Sequence, residues 1–199
     1  MKIIVLGGTG TIGKAVSDSL AARHEVVRVS RKGTVRADIE DTASLKRLFE
    51  QVKDINAVVC CAGGAAFKPL AELTDADFQL GIKSKLMGQV NLVRVGINYV
   101  KDGGSITLTG GVLAHEPTKG AAAISMVNAA LEGFVIGAAI EMPRGIRLNL
   151  VSPPWISETL AAFKMDPSGG IPVAACAKAY VAAIEGKYQG QILDARKFA

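Results

Sequence analysis

Cysteine is scarce in this chain. Three occur among 199 residues, Cys60 and Cys61 side by side and Cys176 alone. That spacing offers neither a disulfide framework nor a CxxC pair, so no metal is expected. Aromatic residues are equally few, at 5%, and the basic residues that give a net charge of +5 are scattered singly and rarely sit beside them. A nucleic-acid partner is therefore not expected, although an anionic small ligand is permitted. The chain also lacks a charge-free apolar run long enough to span a bilayer, and its first residues read as a strand rather than a signal peptide. The expectation is a soluble cytoplasmic protein without a membrane partner. At 199 residues and 49% hydrophobic content, residues 1–199 fit one domain with a sizeable core.

What is present begins at once. Lys2 is followed by the apolar run Ile3-Ile4-Val5-Leu6, then by the glycine loop Gly7-Gly8-Thr9-Gly10-Thr11-Ile12-Gly13, then by helix-forming residues up to Arg23. A short β-branched run of this kind predicts a buried parallel strand, so the order is strand, tight turn, helix. The loop can be read as GxGxxG from Gly8, Gly10 and Gly13, or as GxxGxxG from Gly7, Gly10 and Gly13. Glycines remove side chains that would hold a pyrophosphate off the backbone, and the helix behind them offers free amides and a positive dipole end. The strand-turn-helix setting is the context such a motif requires.

Further strands are predicted at 25–30, 35–39, 57–60, 106–109, 145–151 and 191–194, alternating with helices at 42–52, 120–141 and 173–185. A capping box at Thr74 and Asp77 starts a helical region expected to run, with a break, through Gly88 to Val100. A short helical piece is expected at 158–165. Alternation at this spacing implies an α/β protein with a parallel, doubly wound sheet of seven strands between two helical layers, a three-layer Rossmann fold. The 120–141 helix carries few charges on any side, which predicts a second subunit against it, hence a homodimer or homotetramer.

Taken in order, these pieces resemble the short-chain dehydrogenase/reductase family over nearly the whole chain. Asp38-Ile39 resembles the pair that contacts adenine, and Cys60-Cys61-Ala62-Gly63 stands where the family has Asn-Asn-Ala-Gly. Ala129-Ala130-Leu131-Glu132-Gly133-Phe134 resembles the segment after the family's lysine, and the run from Ile146 to Pro153 resembles the strand leading to the nicotinamide. The resemblance implies cofactor contacts from Gly7, Thr9, Gly10, Thr11, Ile12, Gly13, Ser30, Arg31, Asp38, Ile39, Cys61, Ala62, Gly63, Asn128, Pro153 and Ile156. It also implies that the family's catalytic serine, tyrosine and lysine fall at Gly111, Ile124 and Asn128, with its relay asparagine near Lys83. None of the three is retained: this is a divergent branch whose usual acid and supporting ammonium are absent.

At the end of the second strand, Ser30-Arg31-Lys32 suits a 2′-phosphate, because a guanidinium can grip it bidentately; NADP is expected in preference to NAD. The alternative is that Arg31 and Lys32 are solvated loop charges. His115, four residues past Gly111, is the candidate substitute proton donor, against the plain reading of a surface histidine. Lys119, Ser125, Lys83 and Lys85 are weaker candidates, and Cys61 reads better as a small buried residue than as a nucleophile. Tyr99, Tyr180 and Tyr188 fall on elements remote from the nicotinamide. Trp155 and Phe163 either line a small apolar pocket or pack on the sheet. Two functions follow: an NADP-dependent oxidoreductase acting on a small carbonyl or alcohol with a non-standard donor, or a silent NADP(H)-binding sensor or scaffold.

Overall fold

The computed structural model describes residues 1–199. Its strands are β1 (Lys2–Leu6), β2 (Glu25–Ser30), β3 (Val35–Arg36), β4 (Ala57–Cys60), β5 (Ser105–Thr109), β6 (Arg147–Ser152) and β7 (Ile192–Asp194). Its helices are α1 (Thr11–Ala21), α2 (Thr42–Gln51), α3 (Asp75–Leu80), α4 (Gly88–Gly96), α5 (Ala122–Ala139), α6 (Ser157–Ala162) and α7 (Val173–Glu185). All pairings are parallel, in a seven-stranded sheet of order β3-β2-β1-β4-β5-β6-β7. The chain moves outward from β1 on one side, returns to β4, and continues outward on the other. That reversal opens a crevice beyond the carboxyl ends of β1 and β4.

Side-chain alternation divides the core in two. Ile3 and Val5 of β1, with Ala57, Val59 and Val151, meet Val16 and Leu20 of α1 and Ala177, Tyr180 and Ile184 of α7. Ile4 and Leu6, with Val58, Ile106, Leu108 and Leu150, meet Leu45, Leu48 and Phe49 of α2, Leu92 of α4, and Leu131 and Val135 of α5. Each fully buried leucine or phenylalanine contributes about 1.5–3 kcal/mol. A sheet covered on both faces is why the strands read as continuous apolar runs.

Four expectations need correction. The third strand ends at Arg36, because the Asp38 amide donates to Ser44 Oγ (3.0 Å) and Asp38 Oδ1 accepts from the Glu40 amide (3.0 Å), a local turn that takes Asp38 and Ile39 away from β2. The helical region opens with the predicted capping box, but no break follows. Gly81–Met87 is a π-helical turn that runs straight into α4. Its glycines serve close packing: a Cβ on Gly81 would lie 3.2 Å from Val127, and one on Gly88 2.8 Å from Ile39. The long helix is shorter than expected, since Gly120 has φ +86° and lies outside it. The short piece runs over Ser157–Ala162, with Ile156 as its cap.

By length and composition α5 could cross a membrane, with a mean hydropathy of 1.6, but 39% of it is buried within this fold. Ala123, Val127, Leu131 and Val135 face inward, whereas Ile136 and Ile140 are 58% and 87% exposed.

Phe49 is fully buried and stacks on Tyr99, with ring centroids 5.3 Å apart. Phe49→Ala is expected to cost about 3–5 kcal/mol, lowering the melting temperature by roughly 2–4 °C per kcal/mol. A shift under 2 °C in a thermal melt would contradict this account of the α2 core.

Candidate functional site

The crevice holds a cleft of about 550 Å³, lined among others by Gly7, Thr9, Gly10, Ser30, Arg31, Asp38, Ile39, Cys61, Ala62 and Gly63. It gathers most of the expected cofactor residues into one surface. Lys32, expected beside Ser30 and Arg31, also lines it, as do Glu40, Gly64, Leu80 and Ser84, which were not among the expected site residues. A smaller depression of about 350 Å³ lies between α2 and α4 and does not include the glycine loop.

The floor of the cleft is built by contacts that only glycine allows. Gly7 has φ +75°, and a Cβ there would lie 2.8 Å from the Cys61 carbonyl group. A Cβ on Gly13 would fall 2.2 Å from the Gly7 oxygen. The Gly10 amide donates to that oxygen at 2.9 Å, closing the turn, and α1 then starts at Thr11 with no side-chain cap. Its first-turn amides are left for a ligand, at the positive end of the helix dipole. Thr11, Ile12 and Gly13 form that first turn behind the cleft wall.

Toward β2, Arg31 and Lys32 are exposed and make no ion pair, so the rim carries uncompensated positive charge. Beyond them, the Asp38 backbone and carboxylate are held by Ser44 and Glu40, which fixes the Asp38-Ile39 wall. Glu40 also pairs with Lys83 at 3.5 Å. Lys83 is thus spent on the rim, and it is Lys85, in the π-helical turn, that reaches inward: its Nζ donates to the Gly110 carbonyl at 3.0 Å. Gly63, with φ +125°, lets the Lys85 backbone approach, since a Cβ there would lie 2.9 Å from Lys85 Cα. Burial pushes the Lys85 ammonium down to about 8.

Asn128 comes to the same place from α5. Its Nδ2 donates to the Gly111 carbonyl at 3.3 Å, and its buried Oδ1 has no partner. Gly111 and Asn128 therefore touch, and Ile124 lies one helical turn away on α5. Pro153 and Ile156 are buried after β6 and lie outside the cleft lining. The Pro153 carbonyl accepts from Val112, and Ile156 bridges to Ile171.

His115 follows the 3₁₀ turn Val112–Ala114, with its side chain 71% exposed. Its Nε2 lies 2.5 Å from Glu132 Oε2, and Glu132 is buried with Oε1 unpartnered. The ring is engaged by α5 and is not among the groups that line the cleft. Of the tyrosines, Tyr99 stacks on Phe49 and Tyr188 packs edge-on against Phe198, both away from the cleft. Tyr180 is shut into the core. From α7 its hydroxyl reaches Thr109 Oγ1 (2.8 Å) at the end of β5, and because that oxygen gives its own proton to the Cys60 carbonyl (2.6 Å), the tyrosine is the donor. Tyr180 is sealed from the cleft, and burial raises its phenol well above its ordinary value. Burial likewise raises the thiols, Cys60 to about 12 and Cys61 further still, which fits structural rather than nucleophilic cysteines. Trp155 is half-buried and meets Phe67 edge-on at 5.6 Å, while Phe163 is 64% exposed and packs on nothing comparable.

His115→Ala would leave both Glu132 oxygens buried without a partner, at a cost of about 1–3 kcal/mol. The expected result is a lower melting temperature for that variant, partly restored by adding Glu132→Gln. An unchanged melt for His115→Ala would show the pair to be a surface contact without weight.

Residues 11–181 match the family described as enoyl-(acyl carrier protein) reductase. Among solved structures, the protein lin1944 from Listeria innocua is 39% identical, with 98% of each chain covered and a TM-score of 0.93. A small-chain dehydrogenase solved in complex with NADPH is 27% identical, covering 98% of this chain and 95% of that one at a TM-score of 0.86. The glucose and ribitol dehydrogenase homolog 2 of Arabidopsis thaliana is 25% identical over 151 residues, or 72% of this chain; the chain spans about half of that relative, 52% of its length. Glycine loop, strand order and profile match agree, and the chain belongs to the short-chain dehydrogenase/reductase family of oxidoreductases.

Proposed function

We propose that this chain binds NADP(H) and interconverts a small carbonyl compound and its alcohol. The observation that carries the reading is the cleft itself, bare of side chains where a pyrophosphate would rest and ending at unpaired cations where a 2′-phosphate would lie. The NADPH complex of the related small-chain dehydrogenase supports it.

The residues fit the coenzyme. Gly7, Thr9, Gly10 and the first-turn amides of Thr11, Ile12 and Gly13 would hold the diphosphate, as backbone donors need no rearrangement to meet an anion. Ser30 and Arg31 would take the 2′-phosphate, with Asp38 and Ile39 flanking adenine. Cys61, Ala62 and Gly63 would line the middle. The unpartnered Oδ1 of Asn128 is an acceptor suited to a ribose hydroxyl, and Pro153 and Ile156 would close the nicotinamide end. When bound, the coenzyme supplies hydride. The chain's own task is then to orient a carbonyl, exclude water with the Phe67–Trp155 pair, and deliver a proton.

A second reading, a silent NADP(H)-binding sensor or scaffold, is favoured by Ile124 and Asn128 on α5. Neither an aliphatic chain nor a neutral amide replaces a phenol and an ammonium. The two readings share the coenzyme and part only on turnover.

Arg31→Ala tests the coenzyme choice. One charge-assisted bond to a phosphate is worth about 1.5–3 kcal/mol, so the variant's Kd for NADPH should rise roughly 10- to 100-fold while that for NADH stays unchanged in fluorescence titration. Equal losses for both coenzymes would remove the NADP assignment. Within the same reading a second copy covers the outer face of α5, where Met126, Ile136 and Ile140 are exposed and Gly133 and Gly137 have open space above them. Ile136→Lys should convert a dimer or tetramer to monomer in light scattering. A wild-type monomer at high concentration would sink that part.

A further inference from the structure

Lys85 stands out among the ionisable groups of the molecule. It sits in the π-helical turn between α3 and α4, half-buried, and belongs to none of the ion pairs. Its Nζ makes one hydrogen bond, to the Gly110 carbonyl at 3.0 Å. An ammonium has three N–H groups, so two remain unclaimed by the protein. An ammonium drawn out of bulk water and given a single neutral acceptor is costly to keep, and no counter-charge in the fold explains it.

Its position gives the explanation. Gly110 and Gly111 form the turn beyond β5, at the carboxyl edge of the sheet. Lys85 binds the first carbonyl and Asn128 the second, from opposite helices. Lys85 is the one charged side chain whose polar atom reaches this dipeptide. Gly63, which lines the cleft, packs directly on the Lys85 backbone. The side chain therefore runs from behind the cleft wall, which Gly63 and Ser84 line and Lys85 itself does not, to the strand end that Asn128 also reaches.

We infer that Lys85 is the proton donor of this site, giving a proton from Nζ to the oxygen of a carbonyl being reduced. The inference rests on the coenzyme reading above and completes it. In the step an Nζ–H bond breaks and an O–H bond forms on the substrate oxygen. The carbonyl carbon gains the hydride as its π bond opens, and its oxygen takes the electron pair that accepts the proton. The neutral amine is then reprotonated from solvent. An amine that titrates near 8 is well placed to release a proton near neutral pH and regain it, which an ordinary lysine is not.

The titratable groups around Lys85 leave it as the one that changes charge there. From the end of β4, Cys60 and the Cys61 that follows it are thiols raised by burial; from α7, Tyr180 is a phenol raised by burial. Asn128 of α5 is neutral, and His115 with Glu132 are paired to one another. On its own turn Lys83 pairs outward with Glu40. Protonated Lys85 is the acid, so reduction should fall as pH rises through about 8.

The test uses the whole chain, with NADPH and the reactive dicarbonyl 9,10-phenanthrenequinone as probes. Lys85→Met and Lys85→Arg should bind NADPH within about threefold of wild type, with turnover reduced by 10²-fold or more, since general acids contribute about 10²–10⁴-fold. Arginine keeps charge and reach but does not release its proton, so it should fail as methionine does. Independently of activity, trinitrobenzenesulfonate labelling followed by peptide mapping should show Lys85 reacting with a midpoint near pH 8, and more slowly with NADP bound. Turnover in Lys85→Met near the wild-type rate would overturn the assignment. So would Lys85 labelling no faster than surface lysines, or a wild type that binds NADPH and reduces nothing. A wild type that binds no NADPH would instead bring down the coenzyme reading, and the donor assignment with it.

Discussion

The ends of β1 and β4 lie so close that a single added carbon would part them. Gly7 sits against the Cys61 carbonyl and Gly13 against the Gly7 oxygen, both inside the contact limit of any side chain. Everything at the site hangs on this approach. It brings the two strands together at the point where the sheet reverses direction, aims α1 at the space above them, and leaves that space lined with backbone. The buried strands beneath, sealed on both faces, make the geometry rigid enough to persist without a ligand.

Charge on this frame is placed at two levels. Arg31 and Lys32 line the cleft and form no ion pair, whereas Lys83 on the opposite rim is held by Glu40. Lys85 lies behind the wall, with its Nζ on the Gly110 carbonyl at the end of β5. Positive charge at the β2 rim and an ammonium held at the β5 end fit an elongated ligand with a phosphate at one end and a polar reacting group at the other.

Much of this was legible in the sequence. The opening strand, loop and helix could be read because a continuous apolar run, closely spaced glycines and a helical stretch each carry their own local signal. The parallel, doubly wound sheet followed from the alternation of strands and helices. The residues that were misjudged are those whose role depends on a neighbour far along the chain. A break was expected in the helical region that runs through Gly88, but Gly81 and Gly88 make room for Val127 and Ile39, which local spacing does not record. The π-helical turn decides that Lys85 points inward and Lys83 outward, a difference that does not show in the sequence, where the two lysines are indistinguishable. The reach of Tyr180 across the core to Thr109 was likewise not visible in its helix. His115 was singled out for its ordinary chemistry, with nothing nearby in sequence to announce Glu132.

The oxidoreductase and silent-binder readings diverge only on turnover, and both require a diphosphate to rest on the glycine floor. Isothermal titration of NADPH into the wild-type protein and into Gly13→Ala, run in parallel with thermal melts, tests that requirement most directly. The account predicts measurable heat for the wild type and its loss in the variant, because a methyl group placed 2.2 Å from the Gly7 oxygen must push the loop out of shape. Equal binding by both proteins, or none by a folded wild type at millimolar coenzyme, would contradict it.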